Sequence, residues 1–254
     1  MMRVLMKGGL MKRIIKAYLQ KLLGFRFYLH LFSLYKIYSL RIDKGEKDFL
    51  HFIKLIPKDG IILDIGANIG LMTVTLAKKF PKSTVYSFEP IPYNLITLNQ
   101  NIELFKLDNV KVFPMALGNE DSEIDMVMPV VDSVKMQGLC HVIHDAIPKS
   151  SIGETFSVPL RKLDSIKHLK NASQDIVAIK LDVEHFEWAV LEGARKILNK
   201  HKPVIYCELG ENENRTKSME VLCGLGYKAK IVEGNNLIDF DQEVHKATNF
   251  IFMH

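Results

Sequence analysis

The chain has 254 residues, 48% of them apolar and 25% charged, the composition of a soluble globular protein with one large domain, or one domain and an appendage. Its three cysteines, Cys140, Cys207 and Cys223, are odd in number and contain no C-x-x-C pair, so neither a disulfide framework nor a cysteine zinc site is expected, and a reducing, cytoplasmic compartment fits. The net charge of +5 belongs to one end: residues 1–42 hold nine Lys or Arg and no Asp or Glu, leaving 25 basic against 29 acidic residues beyond them, which argues against a nucleic-acid surface spread over the body.

The N-terminal arm, residues 1–58, is apolar and aromatic, but Lys12, Arg13, Lys16, Lys21, Arg26 and Lys36 interrupt every run. A spanning helix is therefore not expected, and no clean apolar run ends in a small-residue cleavage site. Ile14, Ile15, Tyr18, Leu19, Leu22 and Leu23 fall at helical spacing. Three readings of this arm stand: a helix packed on the body or on a second subunit, a basic helix lying on an anionic membrane surface through residues 1–42, and, as the least favoured, an RNA-binding arm.

From residue 59 to the C-terminus the pattern becomes regular. "IILDI" (61–65) reads as a strand, "GLMTVTLAKKF" (70–80) as a helix and "TVYSFEP" (84–90) as a strand. "YNLITLNQNIELF" (93–105) reads as a helix with Leu95, Leu98, Ile102 and Phe105 on one side. "VKVFPMAL" (110–117) is a third strand, placed near a sheet edge by Pro114, and "SEIDMVMP" (122–129) a fourth. Residues 129–160 look irregular, and a loop of that length suggests a lid over an acceptor. His141 and His144 lie in it, at a spacing conceivable for metal binding and more ordinary for two surface polar residues. "IVAIKLDV" (176–183) is a near-continuous apolar strand, hence central and buried on both faces. "FEWAVLEGARKIL" (186–198) is a helix, "PVIYCEL" (203–209) a strand and "RTKSMEVLCGLG" (215–226) a helix. "YKAKIVE" and "TNFIFMH" close the chain as an antiparallel pair. The alternation predicts an α/β fold with a mostly parallel sheet.

The first strand runs into a turn spaced D-x-G-x-N-x-G, from Asp64 through Gly66 and Asn68 to Gly70. A dinucleotide fingerprint needs a glycine where Asn68 stands, and a phosphate-binding loop needs Gly-Lys-Ser/Thr where Gly70-Leu71-Met72 stand. Glu89 closes the neighbouring strand, where a carboxylate accepts from both hydroxyls of an adenosine ribose. Asp64 repels a pyrophosphate and suits a cationic amino-acid moiety. The set fits S-adenosylmethionine, which carries a ribose, an ammonium and a sulfonium but no phosphate.

These residues resemble the FkbM-type methyltransferases, a branch of the Rossmann-like class I enzymes. The resemblance runs from about residue 59 to the C-terminus through "ILDIGANIGLMTVTLAKKFPKSTVYSFEPIPYN", "LDSI", "IVAIKLDVEHFEWAVLEGARKIL", "PVIYCEL" and "NFIFMH". It implies a seven-stranded sheet with a C-terminal antiparallel hairpin, and methyl transfer to a hydroxyl of a sugar, a glycan or a glycosylated small molecule. It implies that Asp64, Gly66, Ala67, Asn68 and Gly70 hold the amino-acid end of the cofactor, Glu89 its ribose, and Met115, Ala116 and Leu117 its adenine. One departure stands out: the family usually has glycine after "DVE", and here it is His185.

A sugar hydroxyl is a poor nucleophile, so a positioned base is expected. Asp182, Glu184 and Glu208 sit at the carboxyl ends of neighbouring strands, and His185 titrates in a useful range. Each also has a structural reading, as a helix cap, an ion-pair partner or a surface residue. Three acids are enough to gather a divalent cation, but no ligand spacing supports one, and no metal is expected. Two competing functions remain: a non-catalytic binding protein acting through its basic arm, and a nicotinamide-dependent oxidoreductase. The sequence leaves oligomerisation open.

Overall fold

The computed structural model describes residues 2–57, 59–143 and 153–254. His144 lies outside them. The chain opens with helices α1 (Met2–Leu23) and α2 (Phe25–Ser39), which are followed by α3 (Lys47–Leu55). β1 (Ile61–Ile65), α4 (Leu71–Lys79), β2 (Thr84–Phe88), α5 (Pro92–Leu104) and β3 (Val110–Phe113) then alternate. A second set of strands follows: β4 (Ala116–Leu117), β5 (Ser122–Val131), β6 (Val134–Lys135), β7 (His141–Val142) and β8 (Gly153–Arg161). After the short α6 (Lys167–Lys170) come β9 (Ile176–Leu181), α7 (Glu187–Glu192), α8 (Arg195–His201), β10 (Val204–Glu208) and α9 (Glu213–Gly224). β11 (Lys228–Glu233), β12 (Asn236–Asp239) and β13 (Asn249–Met253) complete the chain.

The main sheet has the order β12-β11-β13-β10-β9-β1-β2-β3. The five strands from β10 to β3 pair parallel, and β13, β11 and β12 join antiparallel. It is thus the mixed, Rossmann-like α/β sheet that the resemblance implied, with eight strands instead of seven. The additional one is β12, which turns back on β11 before the chain reaches β13. β9 lies between β10 and β1 and is buried along almost its whole length, as its apolar run implies. β1 is flanked by β2 on one side and β9 on the other, so the strand order reverses at its carboxyl end, where open α/β sheets hold their ligands.

Four sequence expectations are corrected by longer-range contacts. The stretch 110–117 is two strands in two sheets: β3 is the edge of the main sheet, and β4 beyond Pro114 pairs with β8. The described residues between 129 and 160 lie mostly in strands, because β5 pairs antiparallel with β8 from Ser122–Leu160 to Pro129–Gly153, with β6 and β7 also on β5. The buried side of α5 is Asn94, Thr97, Leu98 and Asn101; Asn101 donates to the Ile69 carbonyl at 2.8 Å and to Ser33 Oγ of α2 at 3.0 Å, so α2 covers a polar face. Finally, the helix expected over 186–198 breaks at Gly193. A Cβ on Gly193 would lie 1.9 Å from the Gly118 carbonyl, and the Asp164 carboxylate accepts from Lys196 N and Ile197 N, both at 3.0 Å, capping a new helix.

Candidate active site

At the carboxyl end of β1 the backbone takes a positive φ at Gly66 (76°), Asn68 (50°) and Gly70 (88°). Asparagine tolerates that region better than most residues, and its Oδ1 here accepts from Ile69 N at 2.9 Å. Gly66 is required twice over: its φ is left-handed, and a Cβ would sit 1.8 Å from the Asp182 carbonyl. Gly66 N and Ala67 N both donate to the Phe88 carbonyl at the end of β2, which seats the turn against that strand.

Beside this turn is a cleft whose space, open to solvent on one side, is about 640 Å³. Of the residues expected at the site, Gly66, Asn68, Glu89, Met115, Ala116, Leu117, Asp182 and Glu184 line it together. The second sheet closes it from above through Met126, Gln137, Gly138, Cys140 and Val142. Asp64, Ala67, Gly70, His185 and Glu208 are absent from the lining.

Asp64 lies beneath the turn. It is fully buried, accepts from Thr73 Oγ1 at 2.5 Å and pairs with Lys180 Nζ at 3.5 Å. Gly70 is the N-cap of α4. Glu208 is exposed at the end of β10. His185 is also exposed; its Nδ1 is 3.1 Å from Asn212 Nδ2, the residue that caps α9. Glu184 and His185 are consecutive left-handed residues, with φ of 53° and 73°, so the departure at 185 puts a side chain where the backbone favours glycine. His141 sits on β7, with Nδ1 2.9 Å from the Leu139 carbonyl.

Glu89 is 4% exposed. Asn68 N and Ile91 N donate to it at 2.8 Å each, and Asn94 Nδ2 at 3.2 Å. Burial raises its pKa to about 7 in spite of those three donors. Glu184 is pushed up to about 8, first by burial and then by the charges of Asp182, Glu208 and Glu187. Glu187 is buried, accepts from Val183 N at 3.1 Å and Asn214 Nδ2 at 2.5 Å, and is raised chiefly by burial. Burial also raises Cys140, which keeps it a neutral thiol on the cavity wall. Among the described residues no group of three His, Cys, Asp or Glu is placed to hold a metal ion.

Two residues of the site escaped the sequence reading. Lys180 is buried in β9 and donates to the Gly66 carbonyl at 2.8 Å, while lying 3.5 Å from Asp64 and 3.6 Å from Asp182. Burial works against its charge, but Asp182, Asp64 and Glu89 outweigh it and hold its pKa above the ordinary lysine value. The signal was there: one lysine inside the apolar run "IVAIKLDV" needs a partner. Asn94 is the second. It is 1% exposed, lines the cavity beside Glu89, and its Oδ1 has no hydrogen-bond partner among the described residues.

The sequence profile of the FkbM methyltransferase domain matches residues 64–229. The chain belongs to the FkbM methyltransferase family. It is 28% identical over 179 residues to Methyltransferase 1 of Beauveria bassiana, covering 63% of this chain and 72% of that protein. It is also 28% identical over 171 residues to the 2-O-methyltransferase NoeI of Sinorhizobium fredii, covering 63% and 68% respectively. A crystal structure of an FkbM methyltransferase from Methylobacillus flagellatus superposes with a TM-score of 0.52 at 14% identity, which speaks to the fold alone. That match covers 97% of this chain, and the chain spans 60% of that protein.

Proposed function

We propose that this FkbM methyltransferase transfers a methyl group from S-adenosylmethionine to a hydroxyl of a sugar, a glycan or a glycosylated small molecule. The observation that carries the reading is that one cavity is lined by both a buried strand-end carboxylate, Glu89, and a second carboxylate of raised pKa, Glu184.

The cavity fits the cofactor. Glu89 and the unpartnered Asn94 Oδ1 are adjacent acceptors, suited to the two hydroxyls of a ribose. Met115, Ala116 and Leu117 give an apolar wall suited to a purine. Gly66 and Asn68 are the turn residues that would border the amino-acid end, next to the Asp182 carboxylate, while Asp64 acts from below by holding Lys180. When bound, S-adenosylmethionine supplies a methyl group on a positively charged sulfur. The chain's own work is to bind, align and deprotonate. In this reading Glu184 is the base: its pKa of about 8 leaves a carboxylate far more basic than a solvated one, so it draws the acceptor's proton more strongly. Asp182 keeps Glu184 basic by like-charge repulsion, and Lys180 stabilises Asp182. Transfer to an oxygen is supported by the Sinorhizobium relative, a 2-O-methyltransferase.

Calorimetry with S-adenosylhomocysteine and NAD, followed by transfer assays over a panel of glycosides, tests the reading. S-adenosylhomocysteine is expected to bind and NAD is not. Glu184→Gln is expected to retain that binding and to lose about 10²- to 10⁴-fold in kcat. The wild-type rate should climb as pH rises through about 8, where Glu184 loses its proton. Binding of NAD alone overturns the cofactor assignment, and an unchanged kcat in Glu184→Gln overturns the base.

A further inference from the structure

Large apolar side chains left in solvent are concentrated at one end of the molecule. Met11, Ile14, Ile15, Tyr18 and Leu22 of α1 are each more than half exposed. Their spacing sets all five on one helix face. Phe27, Leu31, Tyr35 and Tyr38 do the same along α2, and Ile42 follows at 83% exposure. Among the described residues, ten of the fifteen exposed large apolar side chains thus fall within positions 11–42, whereas α1 buries only Gln20 of its described side chains below a tenth. Between the two helices runs an apolar groove lined by Ile15, Leu19, Leu23, Tyr28, Leu31 and Tyr35. A stripe of this size is not a scatter of tolerated surface residues; it has an occupant.

Charge chooses the occupant. The arm carries nine basic residues before its first acid, Asp43. Lys21 and Arg26 are exposed at the junction of α1 and α2. Across a two-fold interface this surface would meet its own copy, setting two basic arms against each other, and the acids beside them, Asp132 and Asp43, are already paired within the chain to Arg13 and Lys36. An anionic bilayer satisfies both features at once, taking the apolar face into its acyl boundary while its headgroups neutralise the Lys and Arg. The tyrosines add an amphipathic ring suited to the headgroup level. None of the described helices is long and apolar enough to cross a membrane, so the geometry is that of a helix pair lying in the interface plane. We propose that α1 and α2 form a docking surface for an anionic lipid bilayer, with the apolar face of α1 inserted.

The test is co-sedimentation of the full chain with phosphatidylcholine vesicles prepared with and without phosphatidylglycerol, at low and high salt. The wild-type chain is expected to sediment with the anionic vesicles, and salt is expected to weaken that binding. Ile14→Glu with Tyr18→Glu should abolish sedimentation. Lys21→Gln with Arg26→Gln should weaken partitioning about 30-fold, the effect of losing two basic residues at the surface. Unchanged binding of S-adenosylhomocysteine and an unchanged unfolding midpoint show that the variants are folded. Three results overturn the proposal: no sedimentation of the wild-type chain, equal sedimentation of both double variants and wild type, or a wild-type dimer that Ile14→Glu with Tyr18→Glu dissociates. The last assigns the face to a second copy.

Discussion

Replacing Glu89 by Gln should remove a defined part of the pH dependence of stability. Folding raises this carboxyl from 4.5 to about 7, so the folded state holds the proton more tightly than the unfolded chain. The sign follows: the contribution to stability is full below pH 4.5 and is lost as pH rises through about 7. A shift of that size corresponds to about 3 kcal/mol, of which roughly 2.5 kcal/mol falls between about pH 5 and about pH 8. Gln cannot titrate, and its amide nitrogen must face either Asn68 N or the Ile91 N and Asn94 pair. That mismatch shifts the variant's stability by an amount that does not vary with pH, so the informative quantity is the double difference. Urea unfolding of both proteins at the two pH values measures it. Wild type should lose about 2.5 kcal/mol more than the variant over that interval. Parallel pH profiles would refute the reasoning, because they would mean that Glu89 ionises in the folded protein as easily as in the unfolded chain.

Two further substitutions probe the turn and the segment facing it. Gly66→Ala forces a Cβ to within 1.8 Å of the Asp182 carbonyl; it should cost about 3 kcal/mol or more in urea unfolding, and a cost below about 0.5 kcal/mol would contradict the contact. His185→Gly relieves a left-handed residue at φ 73° and should raise stability by up to about 1 kcal/mol, less the entropy gained by the unfolded chain. A fall in the thermal midpoint would show that the Asn212 contact outweighs the strain.

The parts of this protein legible in its sequence are those set by local rules. The run-on from "IILDI" into a turn with glycine, asparagine and glycine at alternate positions announced a backbone of positive φ, and Glu89 at the next strand end shares its cavity. The illegible parts depend on partners far away in the chain. β5 alternates like a strand, but its partner β8 carries Pro159 opposite Glu123, and nothing local tells that these segments pair. Asp164 caps a helix more than thirty positions downstream, which splits one continuous helical pattern in two. The sequence order puts the candidate side chains near strand ends but leaves their direction open: Asp64 turns inward to Thr73 and Lys180, and His185 turns toward Asn212. Strand-end position says which end of the sheet a residue reaches; the alternation of faces, the rotamer and the neighbouring loop decide whether it meets the cavity.

The clasp between α1 and the second sheet ties two regions that look separable. Gln20 donates from Nε2 to the Lys135 carbonyl at 3.1 Å and accepts from Lys135 N at 3.0 Å. Lys16 reaches the Gln137 side chain at 3.4 Å, and Arg13 pairs with Asp132 at 3.3 Å. Gln137 is itself part of the cavity wall. The arm therefore buttresses the roof of a site whose floor lies entirely within the matched residues 64–229. Cutting away residues 1–42 to free the protein from a surface would also unshore that roof, so activity lost on truncation measures two losses together, and point substitutions on the outer face of α1 are needed to tell them apart.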